Sequence, residues 1–254
     1  MKYFVLLTLF PFIVMASTGH KSIIWNKKEL KVCWLDNLPV SNNYFSESQL
    51  KEIEGLGEFT SLDENNKSII SSSVQSEYTK EQTGIHFTGW KTCQADDLSD
   101  VVILIGSKGE VGITSQGQAS LGRADSEDIG KIRETDKKAF VFIDVGMWET
   151  DTQWSREDYI KFITLHEFGH IAGLRHEHIR VIEGEKWNDS LFFSKYDSHS
   201  VMNYIFMGEL EENGLVITDG KRIELSPLDV HGLRCLYLYD EETFNNICHA
   251  NFKH

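Results

Sequence analysis

Apolar positions along this chain change their period several times, and each change marks an element. Residues 31–36 (KVCWLD) read as a short strand. Residues 41–66 are rich in Ser, Asn, Glu and Gly and read as an irregular, exposed insertion. From Lys67 to Thr83, the residues Ile69, Ile70, Val74 and Tyr78 recur at helical spacing, and Gly84 closes that helix. Residues 85–90 and 101–105 read as strands, the second a buried apolar run. Residues 107–138 carry many glycines and charges, with one strand near 116–122. Ala139 to Val145 is a further apolar strand. Ser155 is suited to cap a helix whose first turn holds Asp158 and which ends near Gly173. A helical stretch at 227–238 stands out from an otherwise irregular remainder. Strand, helix, several strands, helix, then loops and a last helix predict an α+β domain with a mixed sheet and a smaller, loop-rich half. No internal repeat or low-complexity tract is visible.

The last of the long helices carries the chemistry. Residues 166–176 read HEFGHIAGLRH. His166 and His170 stand one helical turn apart on one face, so both imidazoles reach a single ion at about 2.1 Å. Glu167 projects beside the first ligand, within reach of a metal-bound water. Gly173 can take the positive φ that a helix end requires, and the reversal returns His176 as the third ligand. Three imidazoles leave the fourth position of one zinc ion open, which marks a catalytic site. Zinc lowers the pKa of bound water from about 15.7 toward 7, and Glu167 takes the proton as the water attacks a carbonyl. The extended motif is far more specific than the bare HExxH.

Composition narrows the setting. The chain has 254 residues, enough for a real core, and 41% of them are hydrophobic. Its formal charge of −14 repels phosphate backbones and argues against nucleic acid as a partner. Lys2, the apolar run Tyr3 to Met15, and Val14 and Ala16 at the positions before a cut predict a signal peptide over residues 1–16. That run falls short of the roughly 20 apolar residues of a membrane span. No later segment is long and apolar enough either, so the expectation is a soluble, exported protein, secreted or periplasmic. Cys33, Cys93, Cys235 and Cys248 then predict two disulfides. Three pairings are possible, and Cys33–Cys93 with Cys235–Cys248 keeps each bridge within one half of the chain.

The motif is that of the metzincins, and the chain resembles the astacin branch over roughly residues 67–240. Residues 176–180 (HEHIR) are similar to the astacin continuation after the third ligand. Residues 196–204 (YDSHSVMNY) resemble its methionine turn. Residues 225–237, with LSPLDV and a terminal LY, resemble its C-terminal helix. The resemblance implies a metzincin fold: a mixed twisted β-sheet, two long helices above an active-site cleft, and a smaller loop-rich C-terminal subdomain with one helix. The catalytic domain is then 17–254, divided at 173/174. It implies that Met202 packs beneath the ligands and that Tyr204 supports the oxyanion as a switchable fifth ligand. It also implies that Ser120, Leu121 and Gly122 belong to the edge strand that pairs with extended peptide. Glu177 follows the third ligand; in astacins this residue contacts the mature N-terminus, and the plainer reading is a surface salt bridge.

The chain departs from that pattern in places. Asn203 stands where astacins usually carry His, and neither the aspartate latency motif nor a cysteine switch is evident. Residues 205–220 hold no Lys or Arg, which argues against a preference for an acidic residue after the cut. Ile205, Phe206 and Met207 suggest an apolar pocket or core. His178, His199 and His231 read as surface or capping residues. Asp96, Asp97 and Asp100 lack calcium-loop spacing and read as a solvated turn. The leading reading is a monomeric zinc metalloendopeptidase acting on protein or peptide substrates. Its competitors are a zinc hydrolase of non-ribosomal amides such as cell-wall peptides, and a zinc-bearing binding protein that does not cleave.

Overall fold

The computed structural model describes residues 15–19, 24–36, 44–56, 59, 64–94, 98–106, 117–120, 137–145, 155–177, 191–194, 196–203, 209–211, 214–216 and 223–248. In chain order these form strands β1 (Met15–Gly19) and β2 (Glu29–Trp34), then helices α1 (Glu47–Gly55) and α2 (Glu64–Glu77). Strands β3 (His86–Thr92), β4 (Val101–Gly106), β5 (Gly117–Ala119) and β6 (Ala139–Asp144) follow, then helix α3 (Arg156–Ile171). Strands β7 (Leu191–Ser194), β8 (Glu209–Glu211) and β9 (Gly214–Val216) precede helix α4 (Pro227–Tyr237). A turn of helix at Glu241–Thr243 runs into a π-helical turn at Phe244–Cys248.

The main sheet is mixed and five-stranded, in the order β3-β2-β4-β6-β5. Its first four strands are parallel, and β5 lies antiparallel to β6 at one edge. Every residue of β4 (VVILIG) and β6 (AFVFID) is buried, as central strands covered on both faces must be. Side chains alternate between two cores. Val101, Ile103, Ile105, Val141 and Ile143 meet α2 and α3, through Ile70, Val74, Tyr159, Ile160 and Ile163. Val102, Leu104, Phe140 and Phe142 face Phe45, Ile53 and Leu56 around α1.

Helix α1 corrects the expectation of an irregular, exposed stretch at 41–66. Ser46 and Gln49 form a reciprocal capping box: Gln49 N donates to Ser46 Oγ at 3.3 Å, and Ser46 N to Gln49 Oε1 at 3.0 Å. The Gln49 amide is fully buried and donates to Lys138 O (2.9 Å) and Ser120 Oγ (3.3 Å), and Ser120 Oγ also accepts from Phe140 N (3.1 Å). One helix thus covers the second face of the sheet and fastens the end of β5. The helix expected over 67–83 begins earlier, at Glu64, and ends at Glu77. Tyr78 turns inward there and donates its hydroxyl to Leu165 O at 2.7 Å, joining α2 to α3. β3 bulges at Trp90, opposite Val32 and Cys33 of β2, with Gly89 at φ 99° and Trp90 at φ 53°. The bulge sets the Trp90 ring 5.8 Å from Phe168 of α3.

The later half is more regular than its sequence suggests. β1 pairs antiparallel with β7, and β8 with β9. The expected cut after Ala16 falls inside β1, and residues 1–14 lie outside the described residues. No helix among the described residues is long and apolar enough to cross a membrane.

Both expected disulfides form, Cys33–Cys93 across 60 residues and Cys235–Cys248 across 13. Loop-closure entropy assigns them about 4 and about 3 kcal/mol of stabilisation respectively. Replacing either pair by Ala is therefore expected to lower the unfolding free energy by about those amounts, with the longer loop losing more, as read by urea titration.

Candidate metal centre

Helix α3 runs through the interior, and from Phe162 to Gly169 every residue is buried. Ser155 caps its start, accepting from Asp158 N at 3.1 Å, with Glu157 and Asp158 in the first turn. Its end is a Schellman turn. Gly173 takes φ 90°, Gly173 N donates to His170 O (2.8 Å) and Leu174 N to Gly169 O (2.9 Å). Trp25 Nε1 and the Tyr237 hydroxyl donate to Ile171 O (2.8 Å) and Ala172 O (2.9 Å), so the last carbonyls are also satisfied. This reversal carries the chain back along the helix and brings His176 over His166 and His170.

The three imidazoles converge. His176 Nε2 lies 3.0 Å from His170 Nε2 and 3.2 Å from His166 Nε2. His166 Nδ1 faces Val201 O at 2.7 Å, and His170 Nδ1 faces Leu174 O at 2.9 Å. A carbonyl only accepts, so each Nδ1 carries the proton and each Nε2 presents a lone pair inward. At most one of the two contacts to His176 can then be an N–H···N bond. Lone pairs this close are favoured by a cation between them, and tetrahedral zinc at about 2.1 Å sets its nitrogens about 3.4 Å apart. Glu167 adds a second observation. It is 4% exposed, and its Oε2 has no hydrogen-bond partner. Burial pushes its carboxyl well above the ordinary carboxylate range. Three converging Nε2 atoms, with an orphaned carboxylate oxygen on the residue after His166, fit a zinc ion with its water.

The turn beneath the site is tightly bonded. Met202 is buried, and its sulfur packs where Gly169 lacks a side chain. Glu177 is 2% exposed, which removes the surface salt-bridge reading. Glu177 N donates to Met202 O (3.1 Å), and its Oε1 accepts from Asp197 N (3.1 Å). Asn203 is fully buried and donates to Asp197 O at 2.6 Å. Asp229, at the start of α4, ties these parts together. It accepts from Ser200 Oγ (2.6 Å) and Val201 N (3.0 Å) at the turn, and from Ser226 N (3.1 Å) in its own capping box. Ser226 Oγ in turn donates to Asp197 Oδ2 at 2.5 Å. Val201 supplies the carbonyl that orients His166, so Asp229 acts on the site through this turn. Sequence reasoning did not single out Asp229, although the S-x-x-D spacing of residues 226–229 is a capping-box signal.

Burial pushes Asp229 up to about 6 from an ordinary 3.8, with the Asp197 charge adding to the rise and the Ser200 hydrogen bond opposing it. A raised acid favours folding when protonated, so its contribution falls as pH rises from about 4 to 6, by roughly 3 kcal/mol. In metal-free protein, the stability deficit of Asp229→Asn relative to the parent is expected to shrink by up to that amount between about pH 4 and pH 7. Urea midpoints at the two pH values read it.

Other expected site residues are placed as follows. Ser120 immediately follows β5, with its hydroxyl turned to Gln49 and Phe140, while Leu121, Gly122 and Tyr204 lie outside the described residues. So do His178, Asp96, Asp97 and residues 205–207. Asp100 pairs with Lys27 and accepts from Lys31 N, a structural role. His199 is exposed, with Nδ1 3.1 Å from Ser198 Oγ. His231 is half-buried, 3.6 Å from Cys235 Sγ, and the disulfide withholds both sulfurs of that cluster from a metal.

No family model matches the chain, and no curated protein matches it by sequence. Among solved structures, the fold it shares is that of a metallopeptidase. That protein is myroilysin: one structure aligns over 88% of this chain and 99% of its own, at 14% identity and a TM-score of 0.52. A second myroilysin structure aligns over 86% and 87%, at 14% identity and a TM-score of 0.44.

Proposed function

We propose that this protein is an exported zinc metalloendopeptidase of the astacin-like metzincin type, holding one catalytic zinc on His166, His170 and His176. The observation that carries the reading is the convergence of three inward Nε2 atoms beside the buried, unpartnered Glu167 Oε2. Zinc bound there supplies a Lewis acid that acidifies water and polarises a peptide carbonyl. Glu167 takes the proton from the attacking water and passes it to the leaving amine. The protonated Nδ1 atoms of His166 and His170 hold their rings in the ligating tautomer. Met202 fills the space under α3. Tyr204, two residues beyond it, supports the oxyanion.

Among the described residues β5 has a single partner in its sheet, β6, and an extended peptide adds along the opposite side. Main-chain pairing of this kind binds peptide without strict sequence demand. The two disulfides suit an oxidising compartment, either the periplasm or the medium.

Digestion of a diverse peptide library, read by mass spectrometry, tests the proposal. Cuts inside peptides are expected. Release of terminal residues alone, or cleavage confined to cell-wall peptides, would replace endopeptidase with another amide hydrolase.

A further inference from the structure

We propose that Gly117 is a positioning residue for Glu167: the missing side chain on the edge strand makes the slot in which the carboxylate sits. Gly117 pairs with Ile143 in β5, against α3. A Cβ built on it would lie 2.5 Å from Glu167 Oε1, 2.8 Å from Cγ and 2.9 Å from Cδ. All three lie inside the contact limit of a real Cβ, and all three belong to this one side chain. Backbone conformation does not explain the glycine, since its φ lies outside the left-handed region that Gly84, Gly89 and Gly173 occupy. Nor does strand formation, because glycine weakens a strand interior and marks close approach there.

Glu167 therefore packs directly on the β5 backbone at Gly117, with its Oε2 left without a protein partner. Any side chain at 117 moves the carboxylate, and the atoms that must yield are those of the Glu167 side chain from Cγ outward, not backbone. The fold survives such a shift more easily than the chemistry does. Displacing a reacting group by about 1 Å costs on the order of 10²-fold in rate.

The inference rests on Glu167 being the base of the proposed hydrolysis, and its test separates the two. Parent protein that cuts peptides while Glu167→Ala does not supports the base; failure of that pair sinks the base and with it the positioning role of Gly117. With the base established, Gly117→Ala is expected to keep zinc and KM while kcat falls on the order of 10²-fold. A second readout needs no activity. In metal-free protein, Gly117→Ala is expected to lower the unfolding midpoint of the parent and to leave that of Glu167→Ala unchanged, because truncating Glu167 vacates the space. Unchanged kcat, or an equal fall of the midpoint in both backgrounds, overturns the proposal, the latter by showing that β5 itself is disturbed.

Discussion

Glu167→Gln is expected to leave zinc bound and to lower kcat by about 10²–10⁴-fold, with little change in KM. The amide matches the carboxylate in size, so the contact with Gly117 and the packing around α3 persist. What it loses is the ability to accept a proton and pass it on. In the proposed site Glu167 is the base and not one of the three histidine ligands, so metal content and catalysis should separate in this variant. Metal analysis and steady-state kinetics on the same preparation read both quantities. A fall in zinc matching the fall in kcat would instead make Glu167 a ligand or a support of the centre.

His176→Ala should produce the opposite pattern, in which the metal is lost and catalysis goes with it. Removing even a supporting partner of a metal ligand costs about 10–100-fold in affinity. Loss of a ligand should therefore exceed about 100-fold. His176 is the ligand best suited to this test, because it lies beyond α3, after the Schellman turn at Gly173. Its removal leaves untouched the bond from His166 Nδ1 to Val201 O, which ties the helix to the methionine turn. The metal-free variant should unfold close to the metal-free parent. Added zinc should raise the parent's midpoint, since it binds the folded state, and leave the variant's nearly unmoved. Zinc titration by calorimetry and thermal unfolding check the two halves.

The histidine cluster was legible because its geometry is local. HExxH fixes two ligands on one turn, and Gly173 and His176 follow within one reversal. The central strands were legible as well, since β4 and β6 are unbroken apolar runs of six residues. Helix α1 was not. It presents only Leu50 and Ile53 as large apolar residues, and its most buried side chain is the polar Gln49. That burial is possible only because distant Ser120 and Lys138 accept its amide protons. The end of α2 is not marked in the sequence, because Tyr78 continues the helical spacing of apolar residues while its backbone has already left the helix. Asp229 and Gly117 escaped for the same reason. Their partners, Ser200 and Val201 for one and Glu167 for the other, lie far along the chain, and only the folded sheet and turn bring them together.

On this reading, one zinc on three histidines makes the protein cut peptides. Stripping the metal with a chelator and returning zinc in measured steps, while following internal cleavage of a peptide, tests it most directly. Cleavage is expected to vanish without metal and to recover linearly until one ion is bound per chain. Cleavage that survives stripping, or its absence from protein with zinc fully bound, would contradict it.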